Sequence, residues 1–120
     1  QLMLDKKAIL SSDDLPREEV VVEAWGGSVW CRTLTGTERD EFEASCMSKN
    51  KGKGRDVNMV NIRARLCVLT MCNDKGERLF DARDIDALGK KSAMCLDLIF
   101  SVSQRLNGLG AQDVEDLAKG

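Results

Sequence analysis

The chain has 120 residues, 42% of them apolar and 32% charged, with 18 basic and 20 acidic side chains and a net charge of −2. That length suits one domain with its own core, and the charge balance excludes a global basic field of the kind that holds nucleic acid. Histidine and tyrosine are both absent, which removes imidazole acid–base chemistry, histidine metal ligands and Ser-His-Asp triads.

Residues 1–19 open on a short mixed segment and turn acidic between Asp13 and Glu23. The reading is an extended leading segment with a short turn at Ser11–Leu15, and residues 1–15 are expected to be mobile. Val20–Trp25 and Ser28–Leu34 are β-rich runs separated by Gly26-Gly27. Two glycines between such runs predict a hairpin with a primed turn. Trp25 then faces Ser28, Val22 faces Cys31 and Glu23 faces Trp30. One face carries Val20, Val22, Ala24, Val29 and Cys31; the other carries Val21, Glu23, Trp30 and Arg32. Two strands are marginal alone, so the apolar face must pack on helices or on another subunit. Trp25 reads equally as core or as a partner anchor. Trp30, beside Arg32 on the mixed face, reads as an anchor.

Thr35-Gly36-Thr37-Glu38 fits a capping box, so a helix over about residues 36–48 is expected, with Phe42 and Cys46 on one side. Residues 49–56 carry Lys49, Lys51, Lys53 and Arg55 around two glycines. The preferred reading is a flexible, solvated basic loop. Phosphate contact by those four cations is a second reading, weakened because no aromatics interleave them. Docking to the acidic segment of a neighbouring copy is a third. A broadly apolar helix is expected from Val57 to Cys72, with Arg63 and Arg65 between its two apolar stripes or at their edge. Asn73–Gly76 is a turn and Glu77–Phe80 is extended. Asp81 caps a short helix holding Ile85 and Leu88, which Gly89 ends at its C′ position. Lys90–Leu106 is the last long helix, stopped by Asn107-Gly108. A tail over residues 112–119 carries Val114 and Leu117. The whole is one α+β domain, mainly helical: an N-terminal β-hairpin packed on three main helices plus short ones. Residues 110–120 are expected to be mobile.

The five cysteines, Cys31, Cys46, Cys67, Cys72 and Cys95, show no Cys-x-x-Cys spacing. They read as reduced thiols acting as small hydrophobes in a cytoplasmic protein, with no metal site. No signal peptide or membrane span is read from the sequence. No phosphate loop, calcium loop or nucleophile–base set appears, so neither cofactor nor catalysis is expected.

Several runs together resemble a known family. They are Val22-Glu23-Ala24-Trp25-Gly26-Gly27-Ser28-Val29, Arg32-Thr33-Leu34-Thr35, Glu38-Arg39-Asp40-x-Phe42-Glu43 and Arg63-Ala64-Arg65-Leu66. Asp74-x-Gly76-x-Arg78-Leu79-Phe80, Asp86-Ala87-Leu88-Gly89-x-Lys91-Ser92 and Gln104-Arg105-Leu106-Asn107-Gly108-Leu109 continue the pattern. In order and spacing they resemble the tail assembly chaperones of long-tailed bacteriophages, over about residues 13–118. The resemblance implies a protein of the host cytoplasm, absent from the mature virion. It would bind the tape measure protein, keep it soluble and help recruit tail tube (major tail) subunits. It also implies a longer product of the same gene made by translational frameshift. No catalytic residue is implied.

A homo-oligomer is expected because a two-stranded sheet leaves an open edge. The candidate contact residues are Trp25, Trp30, Arg32, Leu109, Val114 and Leu117. The rival reading is a small phage-encoded nucleic-acid-binding regulator that uses loop 49–55.

Overall fold

The computed structural model describes residues 1–47 and 58–109. The basic segment 49–56 and the tail 110–120 lie outside the described residues. The chain begins with a short helix, α1 (Lys6–Ser11), where an extended segment was expected. Asp5 caps it by accepting from the Ala8 amide at 2.9 Å. None of its residues is buried.

Strands β1 (Arg17–Val22) and β2 (Gly27–Arg32) follow as an antiparallel hairpin. The register differs from the expected one: Val22 faces Gly27, not Cys31, and Glu19, not Glu23, faces Trp30. The turn is longer because Glu23–Trp25 closes as a 3-10 turn, with Gly26 at φ 76° accommodating the left-handed cap. Gly27 joins the strand instead of the turn. The register moves by four residues, an even number, so the strand faces survive. Val20, Val22 and Cys31 are buried and Val29 packs against the core, while Val21 points to solvent. Ala24 falls in the turn and is exposed.

A capping box starts α2 (Gly36–Cys46) as expected: the Glu38 amide donates to Thr35 Oγ1 at 3.1 Å and the Thr35 amide to Glu38 Oε1 at 3.0 Å. The helix expected to run to Cys72 is shorter. It is α3 (Ile62–Thr70), and Met71–Cys72 is a strand, β3, that pairs antiparallel with β2. The sheet therefore has three strands in the order β1-β2-β3. Cys72 also bridges Arg78 across the Asn73–Gly76 turn.

A 3-10 turn, Ala82–Asp84, leads into α4 (Ile85–Gly89). Gly89 is the last residue of α4, not a residue beyond it. Its lack of a side chain has a different reason: a Cβ there would lie 2.7 Å from Asn61 Oδ1. Asn61 itself holds φ 54° at the start of α3, a conformation Asn tolerates better than most residues. The last helix, α5 (Ala93–Leu106), starts three residues later than expected because Ser92 caps it, accepting from the Cys95 amide.

The core lies where α3 and α5 cross beneath the sheet. Leu66, Cys67, Ile99 and Cys31 are fully buried there. Thr70 and Ser103 bring hydroxyls into this apolar layer and share a hydrogen bond of 2.8 Å, so neither is left without a partner. Asn107 ties the end of α5 to the chain leading into α2, accepting from the Leu34 amide at 2.6 Å.

Candidate protein-binding surface

The two tryptophans sit on opposite faces of the sheet. Trp25 leaves the 3-10 turn on the core-facing side, where it packs half-buried at the edge of the core. With Val29, Met71, Leu79, Phe80, Ala87 and Leu88 it lines an apolar groove of about 390 Å³. Local structure holds the second wall. The Leu79 amide donates to Met71 O at 3.1 Å, which lays residues 79–80 beside β3. Asp81 and Asp84 then cap the following turn reciprocally, with the Asp81 amide donating to Asp84 Oδ2 at 2.9 Å. Phe80 stays half-buried and Leu79 is 48% exposed. Among the described residues, Asp84 and Lys91 are the charged ones lining the groove.

The other face carries charge at its Arg17–Arg32 end, while Val21 further along it is exposed. Arg17 lies over the Trp30 ring at 5.9 Å. Arg32 is buried, and it donates from Nη2 to Glu38 Oε2 at 2.6 Å. Arg78 reaches the same carboxylate oxygen at 3.5 Å. One carboxylate thus serves two guanidinium groups and the α2 cap together. Arg32 Nε and Thr33 Oγ1 are buried there without a hydrogen-bond partner among the described residues.

A second buried arginine joins the end of α2 to residues 58–60. Arg65 donates to Val60 O at 2.9 Å, to Ser45 O at 2.6 Å and to Ser45 Oγ at 2.7 Å, and also to Asn58 O. Its charge faces carbonyls at the C-terminal end of α2, the negative end of that helix.

All five cysteines carry free, buried thiols. Burial pushes the Cys31 thiol up to about 11, against the lowering effect of a hydrogen bond with Ser103. Burial pushes Cys67 up to about 12. Both are therefore protonated packing groups at neutral pH, unlike reactive thiols. Among the described residues no cluster of three or more Cys, Asp or Glu is placed to hold a metal ion. No helix among them is long and apolar enough to cross a membrane.

Of the residues singled out in the sequence, Trp25 lines the groove. Trp30 lies under Arg17. Arg32 is tied to Glu38, and Leu109 is buried in the core, 3% exposed. Neither Arg32 nor Leu109 presents a surface to a partner here. Lys49, Lys51, Lys53, Arg55, Val114 and Leu117 lie outside the described residues. Sequence reasoning missed Leu79, Phe80 and Leu88 as partners of Trp25, because only the pairing of β3 with β2 brings them together. It also missed Leu2, Met3, Leu4, Ile9 and Leu10, all exposed. An Asp cap at position 5 with apolar residues at 4 and 9, the positions of a hydrophobic staple, was the available signal.

The fold has a known counterpart. The solved structure of the bacteriophage HK97 tail assembly chaperone aligns with 83% of this chain and 94% of its own, with a TM-score of 0.58 and 14% identity. The likeness is one of fold. No protein-family model matches the chain, and no curated protein does.

Proposed function

We propose that this chain is a phage tail assembly chaperone that acts by binding, without catalysis. What carries the reading is the fold shared with the HK97 tail assembly chaperone over most of both chains. The order of sequence motifs that resembles the same family supports it independently. The client is the tape measure protein, which the chain keeps soluble while tail tube subunits are recruited around it. The work is done in the host cytoplasm, and the protein is absent from the mature virion. A longer frameshift product of the same gene and self-association belong to the same reading.

The groove supplies a physical route. A long helical client that aggregates does so through apolar stripes, and an open apolar groove with a charged rim can cover part of such a stripe. Trp25 and Phe80 are the kind of large aromatic side chains that anchor such contacts.

The test is co-expression with the tape measure protein of the same phage. The native chain is expected to move the client into the soluble fraction. Leu79→Asp should leave it insoluble, since a carboxylate would enter the groove while the chaperone itself stays folded. A client that remains insoluble beside the native chain would overturn the reading. So would retention of DNA at low salt without any effect on the client, the result a nucleic-acid-binding regulator would give.

A further inference from the structure

On the Trp30 face of the sheet, the Arg17–Arg32 end gathers more guanidinium groups than carboxylates to receive them. Arg17 and Arg32 stand directly opposite each other in the β1–β2 register, an unfavourable placement for two like charges. Arg78 joins them from the chain that follows β3, where it pairs with Cys72. Glu38 is the carboxylate between Arg32 and Arg78. Arg17 takes part in none of the ion pairs among the described residues. Its guanidinium is nevertheless held in place. It lies over the Trp30 ring and against Gly76, where a Cβ would come 3.4 Å from Arg17 Nη1. Burial raises the Cys72 pKa, and the charges of Arg32 and Arg17 oppose that rise, as expected where both cations converge on β3.

The neighbouring carboxylates are engaged elsewhere. Glu18 receives Arg105 at 2.6 Å, Glu19 receives Ser28 Oγ, and Glu77 receives Asn73 Nδ2 at 3.0 Å. Asp74 and Lys75, both exposed in the turn that ends at Gly76, are opposite in charge. Further along the same face Val21 is 64% exposed. It lies four residues from Arg17 on β1, about 13 Å at the rise of a strand.

We propose that this face receives an extended acidic segment of a partner protein, with a carboxylate on Arg17 and an apolar side chain on Val21. The carboxylate accepts from a guanidinium already ordered on Trp30, so little side-chain freedom is lost on binding. It also offsets the repulsion between Arg17 and Arg32, which an ordinary surface ion pair does not do. In an extended segment the acid and the apolar residue stand four positions apart, matching Arg17 and Val21. Nucleic acid fits this face less well. Glu19 lies between Arg17 and Val21, where a run of phosphates would meet its charge, and a protein segment can place a neutral side chain there. The site is on the opposite face of the sheet from the Trp25–Phe80 groove, and the proposal does not depend on the chaperone reading.

The test titrates the full chain with a synthetic peptide of two successive Glu-Thr-Thr-Thr-Val units. Trp30 emission reports binding in a Trp25→Phe background, where Trp30 is the remaining tryptophan. The peptide is expected to bind and to shift that emission. Arg17→Ser and Val21→Asp, both at exposed positions, should each weaken binding roughly tenfold, with circular dichroism showing native folding. Replacing each Glu of the peptide by Gln should do the same. Leu79→Asp, on the groove, should leave peptide binding unchanged. A peptide that does not bind would overturn the proposal, as would equal binding of the Gln peptide or by Arg17→Ser. A single-stranded oligonucleotide that binds more tightly than the peptide, and loses that binding in Arg17→Ser, would overturn it in favour of phosphate recognition. Client solubilisation by Arg17→Ser is read separately, so either reading can fail while the other stands.

Discussion

Trp25 and Trp30 are five residues apart, yet they show two ways of finishing a sheet. The Trp30 face is sealed by ions: Arg17 over the ring, and Arg32 and Arg78 on Glu38. The Trp25 face continues the hydrophobic core outward and stops at an open groove. The Trp30 face depends on charges that must stay paired, so it is costly to disturb. The open face depends on apolar area that a partner can still cover. That contrast puts paired charge on one side of the sheet and coverable apolar area on the other.

The harshest way to break the contrast is to remove Glu38. Arg32 and Glu38 have side chains only 9% and 12% exposed. Taking one partner from a buried ion pair costs about 3–5 kcal/mol, because the remaining charge stays buried. The Glu38→Ala variant also loses half of the α2 capping box. Urea unfolding should show a loss of that size, and Glu38→Gln should lose less, because an amide oxygen can still accept from the Thr35 amide. The client solubilisation proposed for the groove should persist for as long as the variant is folded.

Alkaline pH tests how dry the open face becomes beneath the groove. Cys31 lies on that side of the sheet and Cys67 below it on α3. Their native pKa values are raised to about 11 and about 12 by burial. The unfolded chain therefore loses these protons first, near the ordinary thiol value of about 8.5, and stability falls as pH rises from there toward 11–12. Below pH 8 the contribution is fully present. Thermal melting between pH 7 and 10.5 should show Tm dropping by several degrees across the upper half, and Cys31→Val should flatten part of that slope. A thiol that reacts quickly with a disulfide reagent in the native protein at pH 8 would mean that water reaches it through the groove.

The sequence carried the faces of the hairpin because side chains alternate with a period of two, and an even shift of register preserves that alternation. It did not carry the register. Gly26-Gly27 advertises a tight turn, while the observed turn depends on Glu23–Trp25 closing as a 3-10 turn. The Thr35–Glu38 capping box was legible because its partners are local. Strand β3 was not: Met71 and Cys72 continue the apolar pattern of α3, and only their distant pairing with β2 ends the helix. The groove was invisible for the same reason, since its walls meet through that pairing. Arg65 looked like a stripe-edge residue, because nothing local shows that carbonyls from residues 45, 58 and 60 would converge on it.

The mildest probe of the contrast is Arg17→Ser. Arg17 is exposed and pairs with Arg32 across β1 and β2. Two like charges face each other there, which is unfavourable in a cross-strand pair. The Trp30 ring offers compensation: a guanidinium over an aromatic face at an exposed site contributes about 0.5–1 kcal/mol. Removing Arg17 loses that contact and also relieves the repulsion with Arg32. The two effects oppose, so the net change in urea unfolding should be below about 1 kcal/mol. Trp30 fluorescence should shift to longer wavelength, because the side chain that shields its ring is gone. Trp30→Leu, combined with Arg17→Ser in a double-mutant cycle, isolates the cation–ring term. A coupling near zero would mean that Arg17 covers Trp30 without holding it, and that the sealed face owes its closure to Glu38 alone.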